Sequence, residues 1–135
     1  MFKTLIVEDN HSFSEALRSA LQSHFPFLVL EQAAGVQDAL RKIDTMQPDL
    51  IFSDMRLPDG NGLALKRSIR AAGIESAIII LTSHDLPEYR DAALSSGANH
   101  FMTKGSVSIT DIFSVIGSIL ASRFSVRPCP ETVPA

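Results

Sequence analysis

Glu8, Asp9, Asp54, Thr82 and Lys104 carry side chains that could act together, because each stands at the end of a short apolar run. Glu8-Asp9-Asn10 follows Leu5-Ile6-Val7, and Ser53-Asp54-Met55-Arg56 follows Leu50-Ile51-Phe52. Thr82-Ser83-His84 follows the run from Ala77 to Leu81, and Thr103-Lys104 follows His100-Phe101-Met102. Three carboxylates brought together repel one another, and the simplest offset is a hard divalent cation with oxygen ligands. At an open site that means Mg²⁺, or Mn²⁺ in its place, retaining several waters. One carboxylate can then attack a phosphoryl donor while the cation screens incoming charge and orients in-line displacement. Asp54, at the third run, is the candidate nucleophile. Lys104 offers a point positive charge to one phosphoryl oxygen, and the Thr82 hydroxyl can donate a hydrogen bond to another.

These residues must be held by a sheet. The runs listed above, with Leu28-Val29-Leu30, lack polar alternation, which suits strands buried on both faces. Helical spacing separates them: Phe13, Ala16, Leu17, Ala20 and Leu21 mark a first helix, Val36, Ala39, Leu40 and Ile43 a second, and Ile109, Ile112, Phe113, Ile116, Ile119 and Leu120 the last. Two further helices, around 62 to 72 and 86 to 96, are marked chiefly by Gly73 and Gly97 at their expected left-handed ends. Ser12 with Glu15, and Ser108 with Asp111, have capping-box spacing. Strand and helix alternate five times, predicting right-handed crossovers and a doubly wound α/β domain with a five-stranded parallel sheet. In such a fold ligands bind outside the carboxyl ends of the strands, where these polar residues fall.

In combination these motifs resemble the receiver domains of bacterial two-component response regulators. The resemblance covers residues 3 to about 122 and rests on the acid pair Glu8-Asp9, the run Ser-Asp-Met-Arg-Leu-Pro-Asp-Gly-Asn-Gly-Leu at 53 to 63, Leu-Thr-Ser-His at 81 to 84, and Lys104. It implies a flavodoxin-like (βα)5 fold with strand order 2-1-3-4-5. It further implies that Asp54 is the phosphoacceptor, that Asp9 binds the metal directly and Glu8 partly through water, and that the Arg56 backbone carbonyl is a ligand. Thr82 and Phe101 would be the coupled switch pair, and a sensor histidine kinase the phosphoryl donor. Family members often carry proline after the lysine, frequently with a cis bond. Here Gly105 follows, so a trans peptide is expected. The Lys-Gly junction is similar to the subfamily with a LuxR/NarL-type DNA-binding output. Phe101 stands where tyrosine is also common and can report its rotamer by packing only.

Taken singly, Thr82 reads as a strand residue, Lys104 as a surface charge, Phe101 as core, and Arg56 and His84 as solvated side chains; the last two flank Asp54 and could tune acyl-phosphate hydrolysis. His11, His24 and His100 lack metal-ligand spacing. The 135 residues and 45% hydrophobic content suit one domain over 1–122, followed by a flexible tail or interdomain linker over 123–135 that holds Cys129. A net charge of −3 without a basic stripe excludes a nucleic-acid footprint on this segment, so DNA would be reached only through a C-terminal output domain. The lone cysteine excludes an internal disulfide, and no apolar stretch has membrane-spanning length; a cytoplasmic protein is expected. Regulation of transcription is the expected output, with homodimerisation on phosphorylation; a stand-alone receiver acting by protein-protein interaction is the alternative. An aspartyl-nucleophile phosphohydrolase is disfavoured, because haloacid-dehalogenase-like enzymes place an acid two residues after the nucleophile, where this chain has Arg56. The expected chemistry is limited to the domain's own phosphorylation and dephosphorylation. A flavin or nucleotide site is disfavoured by the lack of a glycine-rich loop after the first strand.

Overall fold

The computed structural model describes residues 2–83, 87–95, 98–105 and 107–124. In chain order the elements are β1 (Phe2–Val7), α1 (His11–His24), β2 (Leu28–Ala33), α2 (Val36–Met46), β3 (Leu50–Ser53), β4 (Arg56–Leu57), β5 (Gly60–Asn61), α3 (Gly62–Ala71), β6 (Ala77–Thr82), α4 (Pro87–Ser95), β7 (His100–Thr103) and α5 (Ile109–Phe124). The main sheet has the order β2-β1-β3-β6-β7 with every neighbouring pair parallel. Counted over the five long strands, this is the expected 2-1-3-4-5 order. The addition is a two-stranded antiparallel ribbon of β4 and β5 around Pro58-Asp59, where the sequence suggests only a turn.

Side chains alternate across the sheet, so each strand feeds two cores. Leu5, Val7, Ile51, Ile78 and Ile80 pack with Ala39 and Ile43 of α2 and Leu65 and Ile69 of α3. Phe2, Ile6, Leu50, Phe52, Ile79 and Leu81 pack with Leu17 and Leu21 of α1 and Ile112, Ile116 and Ile119 of α5. This two-sided burial explains the uninterrupted apolar runs, each large side chain contributing about 1.5–3 kcal/mol relative to exposure.

Helix ends follow local chemistry unevenly. Ser108 and Asp111 form the expected reciprocal box: the Asp111 N–H donates to Ser108 Oγ and the Ser108 N–H to Asp111 Oδ2, both at 3.1 Å. Gly73 is left-handed at φ 78°. At α1 the expectation fails. The N-cap is Asn10, whose Oδ1 accepts the Phe13 N–H at 3.1 Å, two residues before Ser12. Glu15 turns instead to Arg18, 2.9 Å away on the same helix, because an ion pair one turn on competes with the box. Gly97 lies outside the described residues, among which no cis peptide bond occurs.

Candidate functional site

Each key residue is fixed by one more rung of the parallel ladder. The Glu8 N–H donates to the Ala33 carbonyl at 2.9 Å, the Asp54 N–H to Val7 at 3.1 Å, and the Lys104 N–H to Thr82 at 2.8 Å. Glu8, Asp54 and Lys104 are therefore extensions of the sheet, and their side chains project from a rigid edge. The α3 start is tied to the same edge. Gly62 donates its N–H to the Met55 carbonyl at 2.9 Å, and a Cβ at Gly62 would lie 2.3 Å from the Asp54 carbonyl oxygen, so only glycine fits there.

At that edge Glu8, Asp9 and Asp54 each offer a carboxylate oxygen, all within 4.8 Å of one another. Glu8 and Asp54 are buried, at 5% and 7% exposure, while Asp9 is exposed. Lys104 spans the two buried acids, with Nζ 2.5 Å from Glu8 Oε1 and 3.0 Å from Asp54 Oδ2. The other oxygens are held by backbone: Asn10 N–H donates to Glu8 Oε2 at 3.0 Å, and Met55 N–H to Asp54 Oδ1 at 2.6 Å. Burial pushes the Glu8 carboxyl up, against its hydrogen bonds to Lys104 and Asn10, and the nearby Asp54 charge adds to the rise. Burial alone would lower Lys104, but its hydrogen bonds to Glu8 and Asp54 and their charges outweigh that and raise it.

Thr82 is fully buried at the end of β6, opposite Thr103 of β7. Phe101 is buried in the core layer shared with α2 and α3, and the Arg90 guanidinium lies 4.9 Å from its ring centroid. Arg56 is exposed on β4; its N–H reaches only 3.5 Å from Asp54 Oδ1, too long for a strong bond. His84 and Cys129 lie outside the described residues. The structure thus brings Glu8, Asp9, Asp54 and Lys104 together, and it buries Phe101 in the core beside α2 and α3.

Sequence reasoning missed three contributors. Asn10 both caps α1 and donates to Glu8. Asp59 accepts the N–H groups of Val36 at 2.6 Å and Gln37 at 2.9 Å, clasping the start of α2. Phe13 reads as an ordinary apolar-face residue, yet its ring centroid is 4.4 Å from Lys104 Nζ.

Residues 4–116 match the family model for the response regulator receiver domain. The chain belongs to this family. The receiver is 32% identical over 132 residues to the transcriptional regulatory protein TrcR of Mycobacterium tuberculosis, covering 97% of this chain and 50% of that relative. It is 31% identical to the transcriptional regulatory protein YvfU of Bacillus subtilis, covering 77% of this chain and 52% of that one. The receiver thus spans about half the length of the curated relatives it matches. Its fold is that of a two-component response regulator from Clostridium difficile, with a TM-score of 0.86 at 24% identity over 93% of this chain and 100% of that one. A LuxR-family DNA-binding response regulator from Staphylococcus aureus superposes with a TM-score of 0.82 at 21% identity, covering 88% and 98%. Among the described residues no helix is long and apolar enough to cross a membrane.

Proposed function

We propose that Asp54 of this receiver accepts a phosphoryl group from a phosphohistidine of a sensor histidine kinase. A carboxylate oxygen of Asp54 bonds to phosphorus, the phosphorus–nitrogen bond breaks, and its electron pair stays on the imidazole; the products are an aspartyl phosphate and free histidine. The observation that carries this reading is the Lys104 ammonium, held 3.0 Å from Asp54 Oδ2 beside three converging carboxylates. Glu8, Asp9, Asp54 and the Arg56 backbone carbonyl would hold Mg²⁺ or Mn²⁺. The donor set fits: hard oxygens from three acids meet a single ammonium, leaving excess negative charge for a divalent cation to balance. When bound, such a cation offsets the charge of the transferring group.

Lys104 then gives its hydrogen bonds to a phosphoryl oxygen, and the Thr82 hydroxyl donates to another. Thr82 and Phe101 form the switch pair, Phe101 repacking as the hydroxyl moves, and Arg56 and His84 modulate hydrolysis of the acyl phosphate. Driving such a switch from mostly off to mostly on takes about 5.5 kcal/mol of differential stabilisation, within reach of several charge-assisted contacts. The domain catalyses nothing beyond its own phosphorylation and dephosphorylation. It extends past the expected boundary at 122, α5 running to Phe124; residues 125–135 lie outside the described residues, and in our reading they lead toward a LuxR/NarL-type output domain that binds DNA in the cytoplasm. Phosphorylation favours a homodimer. Support for a transcriptional output comes from the half-length coverage of relatives named as transcriptional regulators and from Gly105 after Lys104.

The test is intact mass after incubation with Mg²⁺ and acetyl phosphate. A single phosphoryl adduct on the wild type, lost without the metal and lost in Asp54→Ala, is expected. An adduct that persists in Asp54→Ala overturns the assignment.

A further inference from the structure

Lys104 is confined by more than its two carboxylates. An ammonium has three donors, and the bonds to Glu8 and Asp54 occupy two of them. The Phe13 ring covers a further side, its centroid 4.4 Å from Nζ, and the lysine side chain keeps only 15% exposure. Phe13 is itself pinned. Its N–H is capped by Asn10 Oδ1, the Asn10 N–H donates to Glu8 Oε2, and Glu8 Oε1 accepts from Lys104. Glu8, Asn10, Phe13 and Lys104 therefore close a ring of contacts beside Asp54. Behind them an apolar recess of about 190 Å³, lined by Phe13, Ala16, Leu17, Val107, Ile109 and Ile112, meets the lysine stem.

We propose that Phe13 is a positioning residue for phosphoryl transfer, its π face holding the Lys104 ammonium against Asp54. The inference rests on the receiver reading of Asp54. An aromatic face attracts a cation without offering an acceptor strong enough to pull it from the carboxylates, whereas a water in the same place would accept the third N–H and hydrate the ammonium. Excluding that water also strengthens the remaining charge-assisted bonds. When a phosphoryl group arrives, the lysine exchanges carboxylate contacts for phosphoryl ones while the ring contact stays constant. The residue acts through Lys104 alone.

The experiment compares wild type, Phe13→Leu and Phe13→Tyr. The leucine keeps the apolar bulk without the π face, and the tyrosine keeps both. Two readouts are taken: the rate of adduct formation with Mg²⁺ and acetyl phosphate, and the proton shift of the Lys104 ε-methylene, which a ring above it moves upfield of the other lysines. Phe13→Leu is expected to slow phosphorylation about fivefold to tenfold, between the values for an exposed and a fully desolvated cation–π contact, and to lose the upfield shift. Phe13→Tyr should retain both, and thermal melts should rank the variants differently from the rates. A Phe13→Leu rate within twofold of wild type, or an equal loss in Phe13→Tyr, overturns the inference. An adduct on wild type without the upfield shift overturns it while leaving Asp54 as acceptor. A clear shift with no adduct overturns the Asp54 reading itself, and the transfer role of Phe13 with it.

Discussion

Lys104 at the sheet edge and Lys66 on α3 are both lysines withdrawn from water, yet their surroundings act on them in opposite directions. Lys66 is 1% exposed, and burial, helped by repulsion from Arg67 and Arg70, lowers its ammonium to about 8. Lys104 is raised, because two carboxylates at hydrogen-bond distance outweigh its burial. Burial alone therefore says nothing about which charge a site is built to keep. At the sheet edge the charges complement one another, and the ammonium sits between two carboxylates. On α3 burial and two like charges work against the ammonium instead.

Removing each ammonium sharpens the contrast. In Lys104→Met, Glu8 and Asp54 lose their shared counter-charge, and a buried pair broken on one side is expensive; with Lys104 partly exposed, about 2–3 kcal/mol of stability should go. Because millimolar Mg²⁺ would re-neutralise the acids, it should restore part of that loss. Urea midpoints with and without the metal check both statements, and an unchanged midpoint in the variant would break the comparison at its strongest side.

Lys66→Met tests the other lysine through its pH dependence. A folded-state value near 8 against 10.5 unfolded means that below about pH 8 the lysine is charged in both states and the burial cost is complete. Between about 8 and 10.5 the unfolded chain binds more protons, so wild-type stability rises with pH as the cost is relieved. Methionine follows the same unbranched path without the charge or the contacts that the ammonium makes, so the test is the pH dependence of the difference: wild type should gain stability relative to the variant between about pH 8 and 10.5. Urea unfolding at several pH values tests it. A constant difference across that window would mean that the charge is not what the site resists.

The same division between local and long-range determinants decides what could be read from the sequence. The five strands were legible because burial on both faces leaves continuous apolar runs, and Glu8, Asp9, Asp54 and Lys104 because they directly follow those runs. The box at Ser108 and Asp111 was legible because its partners are three residues apart. Asn10 displaced Ser12 as a cap since Glu15 had Arg18 to pair with, a choice that spacing alone does not make. The contact of Phe13 with Lys104 crosses 91 positions of chain and leaves no periodic trace (104 − 13). Lys66 had no signal at all, because a charged residue on a helix reads as its solvated face.

Asp59 supplies the smallest expected effect and a carboxylate counterpart to the lysine comparison. Burial raises Glu8, whereas Asp59 is lowered by the backbone N–H groups of Gln37 and Val36 at the α2 terminus, where the helix dipole also favours negative charge. Gly35 precedes that helix with no side-chain cap of its own, so Asp59 caps it from across 23 residues. Asp59→Ala should lower the melting temperature by a few degrees, as for a lost N-cap, and speed amide exchange at Val36 and Gln37. Asp59→Asn, keeping one acceptor, should fall between. A depressed carboxyl contributes its stability above the unfolded value of 3.8 and loses it as pH falls through the lower folded value. The gap between wild type and Asp59→Ala should therefore stay level from pH 7 to about 5 and close only in stronger acid, whereas a gap that closed already near neutrality would trace the clasp to some other group.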